Sequence, residues 1–239
     1  MKSRYLSITL LSILCLTGVT AAEEPDYASL RNKMVKEQIE GRGITDERVL
    51  NAFMKVKRHL FVKPEFRKDA YNDIPLDIGE GQTISEPYIV AVMTLAVTPT
   101  PGKKVLEIGT GSGYHAAILA ELVKNVYTIE VIEKLGKDAK KRLDAMGYKN
   151  IKFRIGNGYE GWEQYAPYDG IIVTCSEDHI PLPLIEQLAV GGKLIIPVSY
   201  SSKVQELILI EKEGNGELKK KYLIPVQFVP LIRGKDEQF

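Results

Sequence analysis

From residue 103 onward, the chain alternates short apolar runs with segments whose apolar residues recur at helical spacing. The run at 168–174 is unbroken, which indicates a strand buried on both faces. The pattern predicts strands at 104–108, 125–131, 151–155, 168–174 and 193–198, and helices at 114–123, 132–146 and 182–190. Strands that alternate with helices in this way favour a parallel sheet covered on both sides.

The two ends of the chain depart from this alternation. Helical spacing predicts helices at 27–40 and 46–56, separated by Gly41 and Gly43, with Thr45 as the N-cap of the second. Residues 59–78 are mixed and predict loops. Apolar runs at 205–211 and 221–229 flank a turn-rich segment, which is typical of an antiparallel hairpin at a sheet edge. The chain therefore predicts a Rossmann-like, doubly wound α/β sheet, mainly parallel, with a C-terminal antiparallel hairpin and an N-terminal helical cap.

The first 22 residues differ from the rest. Lys2 and Arg4 precede a mostly apolar stretch that ends in small residues at 19–22, a pattern typical of a cleavable export signal. The stretch is too short and interrupted for a spanning helix, although an uncleaved anchor or a misassigned start are alternatives. We expect a signal peptide at 1–22 and a single domain at 23–239, with a helical cap at 23–80 and an α/β core at 81–239. The protein is then exported to the periplasm or secreted; a cytoplasmic location is the alternative.

The charge balance narrows the possible partners. Lys and Arg number 32 against 31 Asp and Glu. Removal of residues 1–22 takes away Lys2 and Arg4, so the mature chain carries a net charge of −1. Such a balance leaves no excess of positive charge that would attract nucleic acid or an anionic membrane. We expect neither nucleic-acid binding nor stable membrane association after signal cleavage, and we expect a monomer.

The cysteine and histidine content predicts no metal site. Only Cys175 remains after signal removal, so no internal disulfide can form, and a buried thiol is the expected state. His59, His115 and His179 are scattered and match no metal-ligand spacing. We interpret His59 as a structural residue that bonds across the helical cap.

A glycine-rich turn follows the first strand of the α/β part. Gly109, Gly111 and Gly113 alternate with Thr110 and Ser112, in the segment EIGTGSGY. Glycines here permit a tight turn and the close approach of a ligand to the backbone. The spacing is G-x-G-x-G rather than the dinucleotide-binding G-x-G-x-x-G, because Tyr114 occupies the position after Gly113. Glu107 precedes the turn and favours a ligand with a cationic or amino group, as in S-adenosylmethionine.

The next two strand ends add polar groups. Glu130 ends the second strand, where a carboxylate can accept both hydroxyls of a ribose, and Val131 follows it. Asn157 and Gly158 follow the third strand, where the adenine edge is expected. In parallel sheets, ligands bind at the carboxyl ends of the strands. The alternative interpretation is a glycine turn with a surface glutamate, but the ordered set favours a cofactor site.

The passage IGEGQTISEPY, at 78–88, joins the cap to a long apolar run. We interpret it as a loop that starts a helix, with Ser85 as the N-cap and Pro87 in the first turn. A simple cap leaves the preceding Gly79, Gly81 and Gln82 unexplained, which indicates a site. The amide end of the helix is also a favourable place for an anion.

Four segments together resemble one family. GQTISEPYIVAVMT at 81–94, LEIGTGSGY at 106–114, VKRHLFV at 56–62 and FVPLIRG at 228–234 are similar to protein-L-isoaspartate (D-aspartate) O-methyltransferases. They cover most of the mature chain in order, and GQTIS-x-PY is more specific than the glycine loop.

The resemblance implies an enzyme and a set of site residues. Members of this family transfer a methyl group from S-adenosylmethionine to the free carboxylate of L-isoaspartyl or D-aspartyl residues in damaged proteins and peptides, which initiates repair. It places the catalytic serine on Ser85. Together with the glycine turn and the strand ends described above, it implies a set of residues that contact the cofactor. These are Gln82, Thr83, Ile84, Ser85, Glu107, Gly109, Gly111, Ser112, Gly113, Glu130, Val131, Asn157 and Gly158.

Two residues depart from the family pattern. Asn157 stands where the family commonly has an acidic residue, so we expect lower cofactor affinity. Glu86 stands where related enzymes often carry an uncharged residue, so we expect weaker binding of an anionic substrate. Two alternatives stay open: a methyltransferase of this fold that acts on a small molecule or RNA, and a non-catalytic binding protein.

Overall fold

The computed structural model of the protein describes residues 24–201 and 204–234. The signal peptide predicted at 1–22 lies outside this range. The helices are α1 (Tyr27–Lys33), α2 (Glu47–Lys55), α3 (Pro87–Ala96), α4 (Tyr114–Ala120), α5 (Glu133–Ala145) and α6 (Leu182–Glu186). The strands are β1 (Leu76–Gly79), β2 (Gln82–Ile84), β3 (Lys104–Ile108), β4 (Asn125–Glu130), β5 (Ile151–Ile155), β6 (Tyr168–Val173), β7 (Leu188–Ser201), β8 (Val204–Lys212) and β9 (Leu218–Val226).

Seven strands form one mainly parallel sheet in the order β5-β4-β3-β6-β7-β8-β9. Pairs among the first five strands of this order are parallel, whereas β8 pairs antiparallel with both β7 and β9. The order reverses between β3 and β6, because the chain runs outward through β4 and β5 and then returns to the other side of β3. This topological switch is where α/β sheets of this type bind ligands. The predicted doubly wound, Rossmann-like fold with a C-terminal antiparallel hairpin is confirmed.

The apolar residues of the strands form a core on both faces of the sheet. Val105, Ile172 and Ile195 belong to the cluster that also includes the N-terminal helices. Leu106, Ile171 and other residues of alternating orientation form a second cluster on the opposite face. Because side chains alternate along a strand, a strand that is apolar throughout supplies both clusters.

The N-terminal cap is helical, as predicted, but differs in detail. The chain continues from α1 through a π-helical turn, Met34–Ile39, and a 3₁₀ turn, Glu40–Arg42. The N-cap of α2 is Asp46 and not Thr45, because the Asp46 carboxylate accepts hydrogen bonds from the amides of Arg48 (2.9 Å) and Val49 (3.3 Å). His59 bonds to the Tyr71 hydroxyl (2.7 Å), and its ring stacks on that of Tyr27, so its structural interpretation is confirmed.

Two boundaries in the second half differ from prediction. The helix predicted at 182–190 ends at Glu186, and β7 begins already at Leu188, which pairs with Tyr168. The strand predicted to begin at residue 193 therefore also includes Gly191 and Gly192, which lie in an irregular stretch between the pairs Tyr168–Leu188 and Gly170–Lys193. The last strand ends at Val226 rather than 229. Lys219, Lys220 and Lys221 are exposed on β9, the edge strand, where charge discourages edge-to-edge pairing.

The passage 78–88 starts a helix, as predicted, but most of it forms a hairpin rather than a loop. Strands β1 and β2 pair as an antiparallel hairpin, with Leu76 opposite Ile84. The boundary placed between cap and core at residue 80 falls in the turn of this hairpin, so the two parts share an element. No helix within 24–201 or 204–234 has the length and apolar character needed to span a membrane.

Candidate functional site

A cavity lies at the carboxyl ends of β3, β4 and β6, at the topological switch of the sheet. It encloses about 810 Å³ of space when its open mouth is included. Most of the predicted site residues line it: Gln82, Thr83, Ile84, Ser85, Glu107, Gly109, Gly111, Ser112, Glu130, Val131 and Gly158. Gly113 and Asn157, which were also predicted, are not part of this wall. The structure thus brings together residues from the β1–β2 hairpin, the glycine turn and three strand ends.

The glycine turn between β3 and α4 has a backbone that side chains would obstruct. Gly109 has a φ of +93°, and a Cβ there would collide with the Thr174 side chain. Gly113 has a φ of +86°, and a Cβ there would lie 2.8 Å from Leu143 of α5. Gly109 therefore keeps the turn against β6. Gly113 lies outside the cavity wall, and its missing side chain allows α5 to pack against the glycine turn.

Glu107 of β3 is completely buried in the cavity wall. Its Oε2 accepts a hydrogen bond from the Thr128 hydroxyl (2.5 Å), and Thr128 in turn contacts Thr110 (2.5 Å). Its Oε1 has no hydrogen-bond partner within the described part of the chain. Burial, opposed by the Thr128 hydroxyl and the Ala116 amide and assisted by the nearby Glu130 charge, raises the pKa of Glu107 to about 8. A buried carboxylate oxygen without a partner fits the cationic amino group of S-adenosylmethionine.

Glu130 stands at the end of β4 with both oxygens anchored. Oε2 accepts the amide N–H of Gly111 (2.8 Å), and Oε1 accepts that of Ile132 (3.0 Å). Burial raises the pKa of Glu130, and these amide bonds oppose the shift. Each oxygen keeps a further lone pair, so an oriented carboxylate faces the cavity with acceptor capacity for two ribose hydroxyls.

Asn157 follows β5 and caps a short 3₁₀ turn, Gly158–Glu160. Its Oδ1 accepts the amide N–H of Tyr159 (3.0 Å), and its Nδ2 donates to Glu160 (3.3 Å). The local turn therefore uses the side chain that was predicted to contact adenine. Gly158 does line the cavity, and a Cβ there would collide with Ile108, so this glycine lets the turn approach β3. A contact of Asn157 with the cofactor stays a prediction.

Ser85 joins β2 to α3, and its predicted role as the helix N-cap is wrong. The helix begins at Pro87, its N-cap residue is Glu86, and no side chain caps it. The Ser85 hydroxyl has no hydrogen-bond partner within residues 24–201 and 204–234, although it lines the cavity. Since the Ser85 side chain does not cap the helix, its hydroxyl is free to bind a ligand.

The amide end of α3 offers less to an anion than the sequence suggested. Pro87 has no N–H, and the amide of Tyr88 donates to Asp73 (3.1 Å). Two of the first amides of the helix are thus absent or occupied, so side chains must supply more of the polar contacts.

Several residues of the cavity wall were not predicted as site residues. His115 of α4 bonds through Nε2 to the Thr94 hydroxyl (2.9 Å), and burial lowers its pKa to about 3, so the ring is neutral. Thr94 already donates to the Val90 carbonyl (2.7 Å), so His115 Nε2 must carry the proton. Cys175, beyond the end of β6, also lines the wall; it is half-buried rather than fully buried, and the partial loss of solvent raises its pKa, so the thiol is protonated.

The C-terminal segment closes the other side of the cavity with residues 229–232. Ser176, after β6, donates its amide to the Val229 carbonyl (2.8 Å) and accepts from the Leu231 amide (2.8 Å). Arg233 donates two hydrogen bonds (3.1 Å each) to the buried Glu177 carboxylate. The similarity of FVPLIRG to a known family was the only sequence signal for this wall, since the segment has no periodicity of its own.

Within the described ranges, Glu177, Asp178 and His179 form one group whose ligand atoms lie within 4.8 Å of one another. Arg233 already bonds both oxygens of Glu177, and a cation would have to displace it. Asp178 and His179 are exposed and bond to each other.

Comparisons with known proteins point to one family over most of the chain. Residues 29–236 match the family model of Protein-L-isoaspartate(D-aspartate) O-methyltransferase (PCMT). A protein-L-isoaspartate O-methyltransferase 2 of Syntrophobacter fumaroxidans is 48% identical over 96% of this chain and 96% of its own length. A protein-L-isoaspartate O-methyltransferase of a Picosynechococcus species is 53% identical over 85% of this chain and 90% of its own.

A solved structure extends the comparison to three dimensions. A Plasmodium falciparum beta-aspartate methyltransferase (PCMT), in complex with S-adenosyl-L-homocysteine, superposes with a TM-score of 0.73 at 27% identity. The match covers 88% of this chain and all of that one. S-adenosylhomocysteine is what S-adenosylmethionine becomes after it gives up its methyl group, and the cofactor of this protein is S-adenosylmethionine. The chain belongs to the protein-L-isoaspartate(D-aspartate) O-methyltransferase family, whose enzymes are S-adenosylmethionine-dependent protein carboxyl O-methyltransferases.

Proposed function

We propose that this protein methylates the free carboxylate of L-isoaspartyl or D-aspartyl residues in damaged proteins, and that Ser85 orients this carboxylate. The observation that carries the role of Ser85 is its hydroxyl, which lines the cofactor cavity and makes no hydrogen bond within the described chain. A hydroxyl in this state can donate to an incoming carboxylate at no cost to an existing bond. Membership in the family supports the proposed reaction, and the free hydroxyl supports the proposed role of Ser85.

The reaction needs orientation more than acid–base chemistry. A carboxylate has a pKa near 4, so it is ionised and nucleophilic at neutral pH. S-adenosylmethionine supplies the electrophilic methyl group on its sulfonium. The protein must hold the carboxylate in line with that methyl carbon and exclude water. His115 is a weak base because burial lowers its pKa to about 3, and Cys175 is a weak nucleophile because its raised pKa keeps the thiol protonated.

Three groups hold the cofactor in this proposal. Glu107 binds the amino group through its unpartnered Oε1, and Glu130 accepts the ribose hydroxyls. Gln82 and Thr83 of β2 lie across the cavity from the glycine turn and line the methyl-donor end. An ion pair between Glu80 and Lys134 (2.9 Å) connects the turn of the β1–β2 hairpin to α5. The adenosine is thus enclosed between the hairpin and the ends of the strands.

Replacement of Ser85 by alanine tests this role. A hydrogen bond to a charged group contributes about 1.5–3 kcal/mol, so Ser85→Ala should lower kcat about 10- to 100-fold without abolishing it. The assay follows methyl transfer to an isoaspartyl peptide, with its aspartyl counterpart as the control substrate. S-adenosylhomocysteine affinity, measured by calorimetry, should change much less than kcat. Full activity of Ser85→Ala would show that Ser85 has no such role.

The same peptides separate the proposed reaction from both alternatives. A methyltransferase for a small molecule or RNA would leave both peptides unmodified, as would a non-catalytic binding protein, but only the latter would lack activity on every substrate. The net charge of −1 after signal removal supports proteins and peptides, rather than nucleic acid, as partners. We further propose a monomer, which size-exclusion chromatography with light scattering would test.

We propose that residues 1–22 direct export. The proposal rests on the charged, then apolar, then small-residue pattern of that segment. Fractionation of cells with N-terminal sequencing of the native protein tests it: a mature terminus near residue 23 in the exported fraction is expected. A full-length protein in the cytoplasm would contradict it.

A further inference from the structure

Arg58 is a charged side chain in an unusual place. It lies in the 3₁₀ turn Arg58–Leu60 of the cap, and no part of it is exposed to solvent. Arginine is almost never fully buried unless it is paired. Burial lowers the pKa of Arg58, and the nearby Tyr114, together with the charges of Glu86 and Asp73, offsets this only in part. An apolar side chain of similar volume would avoid this cost, so the guanidinium needs a specific reason to be there.

The guanidinium of Arg58 contacts main chain rather than a carboxylate. Nε donates to the carbonyl of Ala70 (2.8 Å), within the cap, and Nη2 donates to the carbonyl of Ser85 (2.7 Å). The guanidinium carbon lies 4.9 Å from the centre of the Tyr114 ring, at the start of α4. One side chain therefore connects the cap, the glycine-turn helix and the proposed catalytic residue.

The carbonyl of Ser85 needs such a donor. The first hydrogen bond of α3 runs from the Val90 amide to the carbonyl of Glu86, one residue after Ser85. The Ser85 carbonyl thus precedes the helix and accepts from Arg58 instead. On its other side, Ile84 is paired with Leu76 in the hairpin. With the preceding residue held by the strand and the carbonyl held by Arg58, the direction of the Ser85 Cα–Cβ bond is set.

The cap holds the other end of the same turn as well. Asp73 accepts the amide of Tyr88 (3.1 Å) and pairs with Arg42 (2.6 Å), whose guanidinium lies 3.3 Å from the centre of the Tyr88 ring. These contacts act three residues beyond Ser85, so they fix the helix start, whereas Arg58 acts on Ser85 itself.

We propose that Arg58 is a positioning residue that holds the main chain of Ser85 so that its hydroxyl points at the substrate carboxylate. The proposal rests on the proposed role of Ser85 in methyl transfer. It gives the VKRHLFV segment a function in the reaction, although Arg58 touches neither substrate nor cofactor.

Arg58→Lys is the test variant, because lysine keeps the charge and can satisfy one carbonyl but cannot reach both. A displacement of about 1 Å at a reacting group can lower turnover about 100-fold, so we expect kcat to fall about 10- to 100-fold. KM for S-adenosylmethionine and the affinity for S-adenosylhomocysteine should stay within about twofold, since Arg58 does not line the cavity. Rates are expressed per S-adenosylhomocysteine-binding site, so loss of folded protein does not mimic the effect.

The control variant is Arg31→Lys. Arg31 is another cap arginine, and it donates to the Tyr71 hydroxyl (3.3 Å) without contacting the Ser85 turn. We expect kcat per binding site to be unchanged in this variant. A purely structural role of Arg58, as an anchor of the cap, would give Arg58→Lys the same normal kcat per site and only a lower melting temperature.

A double-mutant cycle with Ser85→Ala separates the outcomes. If Arg58 acts through Ser85, Arg58→Lys lowers kcat in the wild-type background but changes it less than about twofold in the Ser85→Ala background. If Ser85→Ala lowers kcat and Arg58→Lys has the same effect in both backgrounds, or none in either, the positioning proposal alone is wrong. If Ser85→Ala keeps full activity, the proposed role of Ser85 fails and the positioning proposal fails with it.

Discussion

Replacement of Glu107 by glutamine tests the electrostatics of the cofactor cavity. The carboxyl is fully buried, has one unpartnered oxygen and has a pKa raised to about 8. At pH 7 most of the ligand-free protein therefore carries a neutral Glu107. Binding of an ammonium group favours the ionised form, so ionisation of Glu107 becomes part of the binding free energy.

The cost of this ionisation follows from the pKa. At pH 7, one unit below the pKa, it is about 1.4 kcal/mol, or about tenfold in affinity. At pH 6 the loss is roughly 100-fold, whereas at pH 8 it is only about twofold. Cofactor affinity should thus rise about 50-fold between pH 6 and pH 8 through Glu107 alone. Glutamine has nearly the same shape but cannot ionise, so it should bind weakly and without this dependence.

Calorimetry with S-adenosylhomocysteine at pH 6, 7 and 8 measures the effect. The α-amino group of the ligand titrates in the same range, so the informative quantity is the ratio of wild-type to Glu107→Gln affinity at each pH. Parallel titrations in two buffers of different ionisation enthalpy count the proton that Glu107 releases on binding. A ratio that does not change with pH, or equal proton release by both proteins, would refute this account of the cavity.

Protein stability offers a second readout of the same group. The folded-state pKa of Glu107 lies above its ordinary value of 4.5, so folded protein binds the proton more tightly than unfolded protein. Its contribution is fully present below about pH 4.5 and is lost as pH rises through about 8. Ligand-free Glu107→Gln should therefore melt at a higher temperature than wild type at pH 8, with a difference that shrinks towards pH 5. Equal pH dependence of the two melting curves would indicate an unshifted pKa.

Three further substitutions test other parts of the site. Gly113→Ala places a Cβ against Leu143 at a φ of +86°, so urea unfolding should show a loss of about 1–3 kcal/mol; an unchanged midpoint would contradict the packing account. Asn157→Asp keeps the cap on Tyr159, loses the bond to the exposed Glu160 and gives adenine a charged acceptor, so S-adenosylhomocysteine should bind about 3- to 10-fold more tightly in calorimetry, and no gain would mean that this side chain does not reach the ligand. Glu86→Gln removes a negative charge beside Ser85, so KM for an isoaspartyl peptide should fall a few-fold at low salt and less at high salt, whereas a salt-independent KM would exclude an electrostatic effect.

Much of the fold was predictable because its signals are local. Each strand of the α/β part is a short apolar run, and the glycine turn with Glu107 and Glu130 follows a fixed spacing along the chain. The errors lie where a tertiary contact outweighs a local preference. Ser85 has the residue type of an N-cap, yet its backbone is held by β2 before it and by Arg58 at its carbonyl. Gly191 and Gly192 precede the predicted fifth strand, yet they lie within β7, because the residues on either side of them pair with β6.

The sequence by itself determined the fold class, the cofactor end of the sheet and the importance of the passage at 78–88. Only the tertiary structure decided how these parts work together. The pKa of Glu107 depends on burial, and the bond from Arg58 to the Ser85 carbonyl joins residues 27 positions apart. The cavity wall formed by Val229 and Leu231 depends on their pairing with Ser176. Burial and long-range hydrogen bonds arise only when distant segments pack together, so no local periodicity contains them.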